Sequence, residues 1–117
     1  MVGGNFSIVK IDENGDTIWE WTDGTDASDD FESVLVLEDG SVIYGGSTSG
    51  SFSGTIAGDA DWVIVKLDAD GMESWRRQDG TSGTDRLSGM AMDTDGNFVT
   101  SGYTSGNWSG SNKGGDV

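Results

Sequence analysis

The sequence predicts an all-β fold made of four-stranded antiparallel units, two periods to the chain, and three observations carry this. First, the chain repeats itself. With Lys10 aligned to Lys66, an offset of 56 residues, Phe6 falls on Trp62, Ile8 on Ile64, Val9 on Val65, Asp12 on Asp68 and Gly15 on Gly71. The register runs on without a gap through Trp19 and Trp75, Asp29 and Asp85, Phe31 and Leu87, to "TSG" at 48–50 and 104–106. Chance or biased composition does not give a whole period in constant register. Second, short β-branched and aromatic runs alternate with clusters of Gly, Asp, Asn and Ser, the pattern of strands joined by turns. Third, no stretch combines helical apolar spacing with caps, and Gly interrupts every window of useful length.

The elements follow in order within each period. The first strand is "FSIVKI" (6–11) or "WVIVKL" (62–67). A "D-x-[ND]-G" turn comes next, in which Gly supplies positive φ and Asp or Asn caps the turn through its side chain. The second strand is "TIWEW" (17–21) or "MESWRR" (72–77), followed by a loop containing "DGT". The third is "FESVLVL" (31–37) or "LSGMAMD" (87–93), and a second "DG" turn leads to "SVIYGGS" (41–47) or "NFVTSGY" (97–103). A long Gly/Ser loop then runs to the next period. Four short strands in a period of this length is the pattern of β-propeller blades. "VLVL" at 34–37 is apolar on both faces, as a strand between neighbouring sheets should be. One such unit cannot bury both its faces and needs another on each side.

"DWVIVKLDADGMESW" followed by "DGTSGTDRLSGMAMDTDGNFVTSGYTSG" resembles the bacterial SBBP-type β-propeller repeat. That pattern is an acidic residue, an aromatic, "V-x-K-L-D-x-x-G", a Trp, a Gly-rich acidic turn, an apolar run ending in Asp, then "x-G-N-x-Y-V-T-G-x-T". Both periods match it, so the resemblance covers nearly the whole chain. It is specific for fold and nearly silent on function. Departures are Glu38 in the "LEDG" turn and Arg76-Arg77 after Trp75, which read as surface variation. The resemblance implies that the run ending in Asp is the innermost strand A, lining a central channel.

In that frame the chain opens with strands C and D of one blade (1–28), carries a complete blade (29–84), and closes with strands A and B (85–117). One blade is divided between the two ends, and "GGDV" at the C-terminus mimics the lead-in "GGNF" at 3–6. Two blades cannot close a ring. The expectation is head-to-tail homo-oligomerisation, in which A-B of one copy takes C-D of the next. Three copies give six blades and four give eight, both within the usual range of about 4–8. The alternative is a two-repeat piece of a longer propeller.

Composition narrows the function. The chain has no His and no Cys, so it cannot assemble a Ser-His-Asp or Cys-His nucleophile, a disulfide or a thiolate metal site. Its 21 acidic residues against 6 Lys and Arg give a net charge of −15. That disfavours nucleic acid and anionic membrane, since phosphate binding needs clustered cations. Solubility, a salt-rich habitat or cation sites are the readings of such acidity. No apolar run is long enough to span a membrane as a helix, and the N-terminus lacks the pattern of a signal peptide. An extracellular or cell-surface place is expected if the chain belongs to a longer secreted protein.

Function is expected on the face carrying the long loops. There Asp59 and Asp61, with Asp29, Asp30 or Asp85, are candidates for Ca²⁺; the "DADG" and "DTDG" turns lack the remaining EF-hand ligands and read as capped turns. Phe52 and Trp108, with Asn107, suit stacking on a sugar, or else pin their loops to the blade. Trp19, Trp62 and Trp75 read as core between blades, and Lys10 and Lys66 as structural ion pairs. The expected function is a non-catalytic scaffold or binding module. The alternatives are a lectin-like carbohydrate-binding propeller and, less favoured, a carboxylate-based glycosidase, for which no acid pair stands out.

Overall fold

The computed structural model describes residues 5–25, 27–50 and 58–106. Among these lie eight strands and no helix: β1 (Asn5–Ile11), β2 (Thr17–Gly24), β3 (Asp29–Val36), β4 (Val42–Thr48), β5 (Asp61–Leu67), β6 (Glu73–Asp79), β7 (Asp85–Met92) and β8 (Phe98–Thr104). All pairing between strands is antiparallel. Strands β3-β4-β5-β6 form one meandering sheet in chain order, while β1-β2 and β7-β8 are separate hairpins.

The strands keep the 56-residue register down to their irregularities. The ladder slips between Lys10 and Ile11 in β1 and between Lys66 and Leu67 in β5. It slips again between Phe31 and Ser33 in β3 and between Leu87 and Gly89 in β7. Strand β2 runs three residues beyond the expected 17–21, because the "DG" of "DGT" stays in the ladder opposite Asn5 and Phe6. Strands β3 and β7 start two residues early, at Asp29 and Asp85, which pair with Thr48 and Thr104.

The tight turns follow one design. Asp12, Asp68 and Asp93 each accept two backbone N–H bonds on Oδ1, from residues two and four further on, at 2.8–3.0 Å. Gly15, Gly71 and Gly96 close these turns at φ +84 to +89°, where an L side chain is strained. The fourth turn departs at Leu37, which stands where the repeat has Asp93. There Asp39 takes over, accepting Ser41 N–H at 2.9 Å as well as the Ser41 hydroxyl. These bonds hold the Asp39 carboxyl below the usual range, as bonds from Asn97 do for Asp93.

The central sheet is covered on both faces, one by each hairpin. On its front face Tyr44, Val63, Val65 and Leu67 are buried against Ile8, Trp19 and Trp21 of β1-β2. On its back face Ile43 and Ile64 are buried against Leu87 of β7, with Trp62, Met90 and Phe98 around them. Strand β4 lies between the two and is buried along its whole length. Strand β3 differs from the expected sandwiched strand. Val34 is 46% and Val36 71% exposed, because the β1-β2 hairpin meets β3 beside Phe31 and leaves these two side chains uncovered.

Candidate functional site

Two matched polar knots hold the loops that precede β3 and β7. Asp29 accepts from Thr25 N–H at 2.6 Å and from the hydroxyls of Thr25 and Thr48. Asp85, which is fully buried, accepts from Thr81 N–H at 2.7 Å and from the hydroxyls of Thr81 and Thr104. A buried carboxylate is tolerable only when its lone pairs are met in this way. Each knot ties a loop to the strand after it and to that strand's hairpin partner.

Of the residues expected to gather around a cation, Asp61 and Asp85 do approach one another. Both are buried, and a Cβ built on Gly80 would collide with both carboxylates. Gln78 donates to Asp61 Oδ2 at 3.0 Å. Asp59 is exposed, and its N–H donates to Gly83 O at 3.2 Å. Among the described residues no three acidic side chains converge as a metal ion requires. Phe52, Asn107 and Trp108 lie outside the described residues. Lys10 and Lys66, expected in ion pairs, form none among the described residues; those pairs belong to Arg76, Arg77 and Arg86.

The polar constellation that sequence reasoning missed lies in the front seam, between β2 and the central sheet. Tyr44 is fully buried at its centre. Its hydroxyl donates to Asp23 Oδ2 and accepts from Trp21 Nε1 at 2.8 Å. Arg76 Nη2 reaches the same Asp23 oxygen at 3.0 Å and Glu73 Oε1 at 2.7 Å. Burial, reinforced by the bond to Asp23, pushes the Tyr44 hydroxyl well above the ordinary tyrosine range. Bonding to Glu73 and the nearby Asp23 raise the Arg76 guanidinium further, although burial opposes them. Beside this cluster Trp19 donates to Ala69 O at 3.1 Å and lies over Gly71, where a Cβ would come within 2.7 Å of its ring. The signal was present in sequence: Trp19, Trp21 and Asp23 alternate along one strand and so share a face.

On the back of the sheet the matching positions border an open cleft of about 920 Å³. Trp75, Arg77 and Asp79 of β6 line one wall, with Trp62 and Ile64 of β5 behind them and Thr100 of β8 opposite. Trp75, expected as core between blades, is 37% exposed in the single chain and stacked on Phe98 at a centroid distance of 5.9 Å. Arg77 pairs with Asp79 but remains 69% exposed. The cleft exists because the back face is covered by a two-stranded hairpin, whose strands reach only part of the way across.

No protein-family model matches the chain, and no curated protein matches it either. The reading of its function therefore rests on the residues and their arrangement.

Proposed function

We propose that the chain is a non-catalytic β-propeller scaffold, of the repeat kind its sequence resembles, that closes into a ring by head-to-tail association of identical copies. The observation that carries this reading is the relation between the three sheets. One four-stranded sheet is flanked on opposite faces by two hairpins, and the 56-residue register makes one hairpin the counterpart of β5-β6 and the other the counterpart of β3-β4. Together the hairpins supply the strands of one further blade, but from opposite sides of the molecule.

Exposure supports the same reading. The outward faces of the hairpins carry Val9, Ile11, Ile18, Val99 and Tyr103 in the open. Among the described residues β8 pairs only with β7, and β1 only with β2. Apolar faces beside unpaired edges invite a further sheet. The carboxylates of Asp12, Asp68 and Asp93 cap turns, and those of Asp29 and Asp85 hold loops, so these acids have structural tasks. The test is molar mass in dilute solution by light scattering. A ring of three or four copies is expected, and a folded monomer would sink the proposal.

A further inference from the structure

We infer that the cleft between β6 and β8 receives the β1-β2 hairpin of a second copy of this chain, and that the front seam is an internal template for the contact. The inference rests on the blade reading above and fixes which surface meets which. In the front seam the back of one hairpin packs on the front of the central sheet. Adding 56 to each hairpin residue gives its counterpart on the other side. Ile8, Trp19 and Asp23 become Ile64, Trp75 and Asp79, which already face the cleft. Subtracting 56 from the sheet residues that receive the hairpin names those that would enter it. Val65, Leu67 and Arg76 become Val9, Ile11 and Glu20. All three lie exposed on one face of the β1-β2 hairpin, the face turned away from the central sheet.

The register is set in the same way. In the central sheet Tyr44 pairs with Val65 and Val42 with Leu67. Transferred to the edge of β8 that is unpaired among the described residues, Thr100 pairs with the second copy's Val9, and Phe98 with the second copy's Ile11. The hairpin then completes a four-stranded sheet and covers the cleft. Trp75 lies over the second copy's Gly15 as Trp19 lies over Gly71. Gly15 shares the positive φ of Gly71, yet among the described residues nothing lies within 4 Å of where its Cβ would be. On the other face of the completed sheet, Val99 takes the part of Ile43 and packs against the second copy's Phe31 and Val34. This covers the front of β3.

Charge argues for this occupant. In the front seam one cation, Arg76, lies between Asp23 and Glu73. In the cleft Asp79 repeats Asp23, but Arg76 is replaced by the second copy's Glu20. A second acid there would be repelled, except that Trp21 is replaced by Arg77. The cation has moved to the opposite strand, and the seam again has one guanidinium between two carboxylates. A substitution that reverses charge on one side while compensating on the other is what complementary surfaces require.

The test uses engineered thiols, since the chain has no Cys of its own. In the Val9→Cys/Thr100→Cys variant the two positions come opposite one another between copies, with Cβ atoms about 4.5–5.5 Å apart. Mild oxidation is expected to give disulfide-linked multimers that reduction returns to monomer on a denaturing gel. Val9→Cys/Val99→Cys, which places the second thiol on the other side of β8, is expected to give none. In a second arm Glu20→Arg and Arg77→Glu each weaken assembly by tenfold or more, while the double variant recovers most of the loss. Both side chains are exposed, so these variants keep the fold. Multimers without the Val9–Thr100 link, or a double variant no better than the singles, would overturn the docking while leaving self-assembly standing. A folded monomer would overturn both.

Discussion

Replacing Tyr44 with Phe removes one oxygen from the front seam and leaves the ring in place. The hydroxyl is buried, donates to the Asp23 carboxylate and accepts from Trp21. A hydrogen bond to a charged group contributes about 1.5–3 kcal/mol. The second bond costs less to lose, since Trp21 Nε1 also lies 3.3 Å from Asp23 Oδ2. Asp23 itself keeps Arg76 and the N–H of Gly24. The expected loss is therefore about 2 kcal/mol at neutral pH, or about 8 °C in Tm for a chain of this size. Urea and thermal unfolding followed by circular dichroism, at equal protein concentration, measure it. The pH dependence gives a second arm. The folded Tyr44 hydroxyl titrates above its unfolded value, so its contribution is fully present below about pH 10 and is lost as pH rises beyond that. Above about pH 10 the unfolded state releases a proton that the folded state keeps, and the gap between wild type and Tyr44→Phe should narrow by about 1.4 kcal/mol per pH unit. A gap under about 0.5 kcal/mol at neutral pH, or one unchanged between about pH 8 and 11, would refute the placing of this hydroxyl in a closed polar cluster.

Three further outcomes are expected. Asp85→Ala strands Thr81 N–H and two hydroxyls in a buried knot, and should cost about 3 kcal/mol in chemical denaturation; a loss below about 1 kcal/mol would mean the knot is not closed. Gly46→Ala and Gly102→Ala drive a Cβ into the carbonyls of Asp30 and Arg86, so both should lose several kcal/mol or fail to fold. Gly89→Ala, whose Cβ meets only Ser101 Oγ at 3.7 Å among the described residues, serves as the tolerated comparison. With a net charge of −15 per copy, assembly should strengthen by roughly tenfold as NaCl rises from about 0.05 M to about 0.5 M, because screening relieves repulsion between copies; sedimentation velocity reads the shift, and weakening with salt would contradict it.

The strands and turns were legible because each rests on local chemistry. A period of two and a turn of fixed composition are written in adjacent residues, and the 56-residue register gave a second copy to check them against. The "DG" turns showed the same capping the sequence suggested, with the substitution falling at Leu37 and repaired by Asp39 rather than by Glu38. The Asp29 and Asp85 knots were harder to see, because Thr25 and Thr48 meet Asp29 only once three segments are folded together. Asp85, which its acidic surroundings suggest for a cation, is a buried acceptor of three hydrogen bonds, a task that spacing alone does not announce. Trp75 is harder to read: it repeats Trp19, but its burial between blades depends on what covers the back of β6, and residue 75 cannot report that. The Tyr44, Asp23 and Arg76 cluster joins three strands, and the sequence held only its alternating Trp and Asp.

The central claim, that identical copies complete one another's sheets, is tested most directly by the absolute molar mass of the native chain in solution. Light scattering at micromolar concentration and moderate salt should give a single species at three or four times 12.3 kDa. A folded, stable species at 12.3 kDa itself would contradict it.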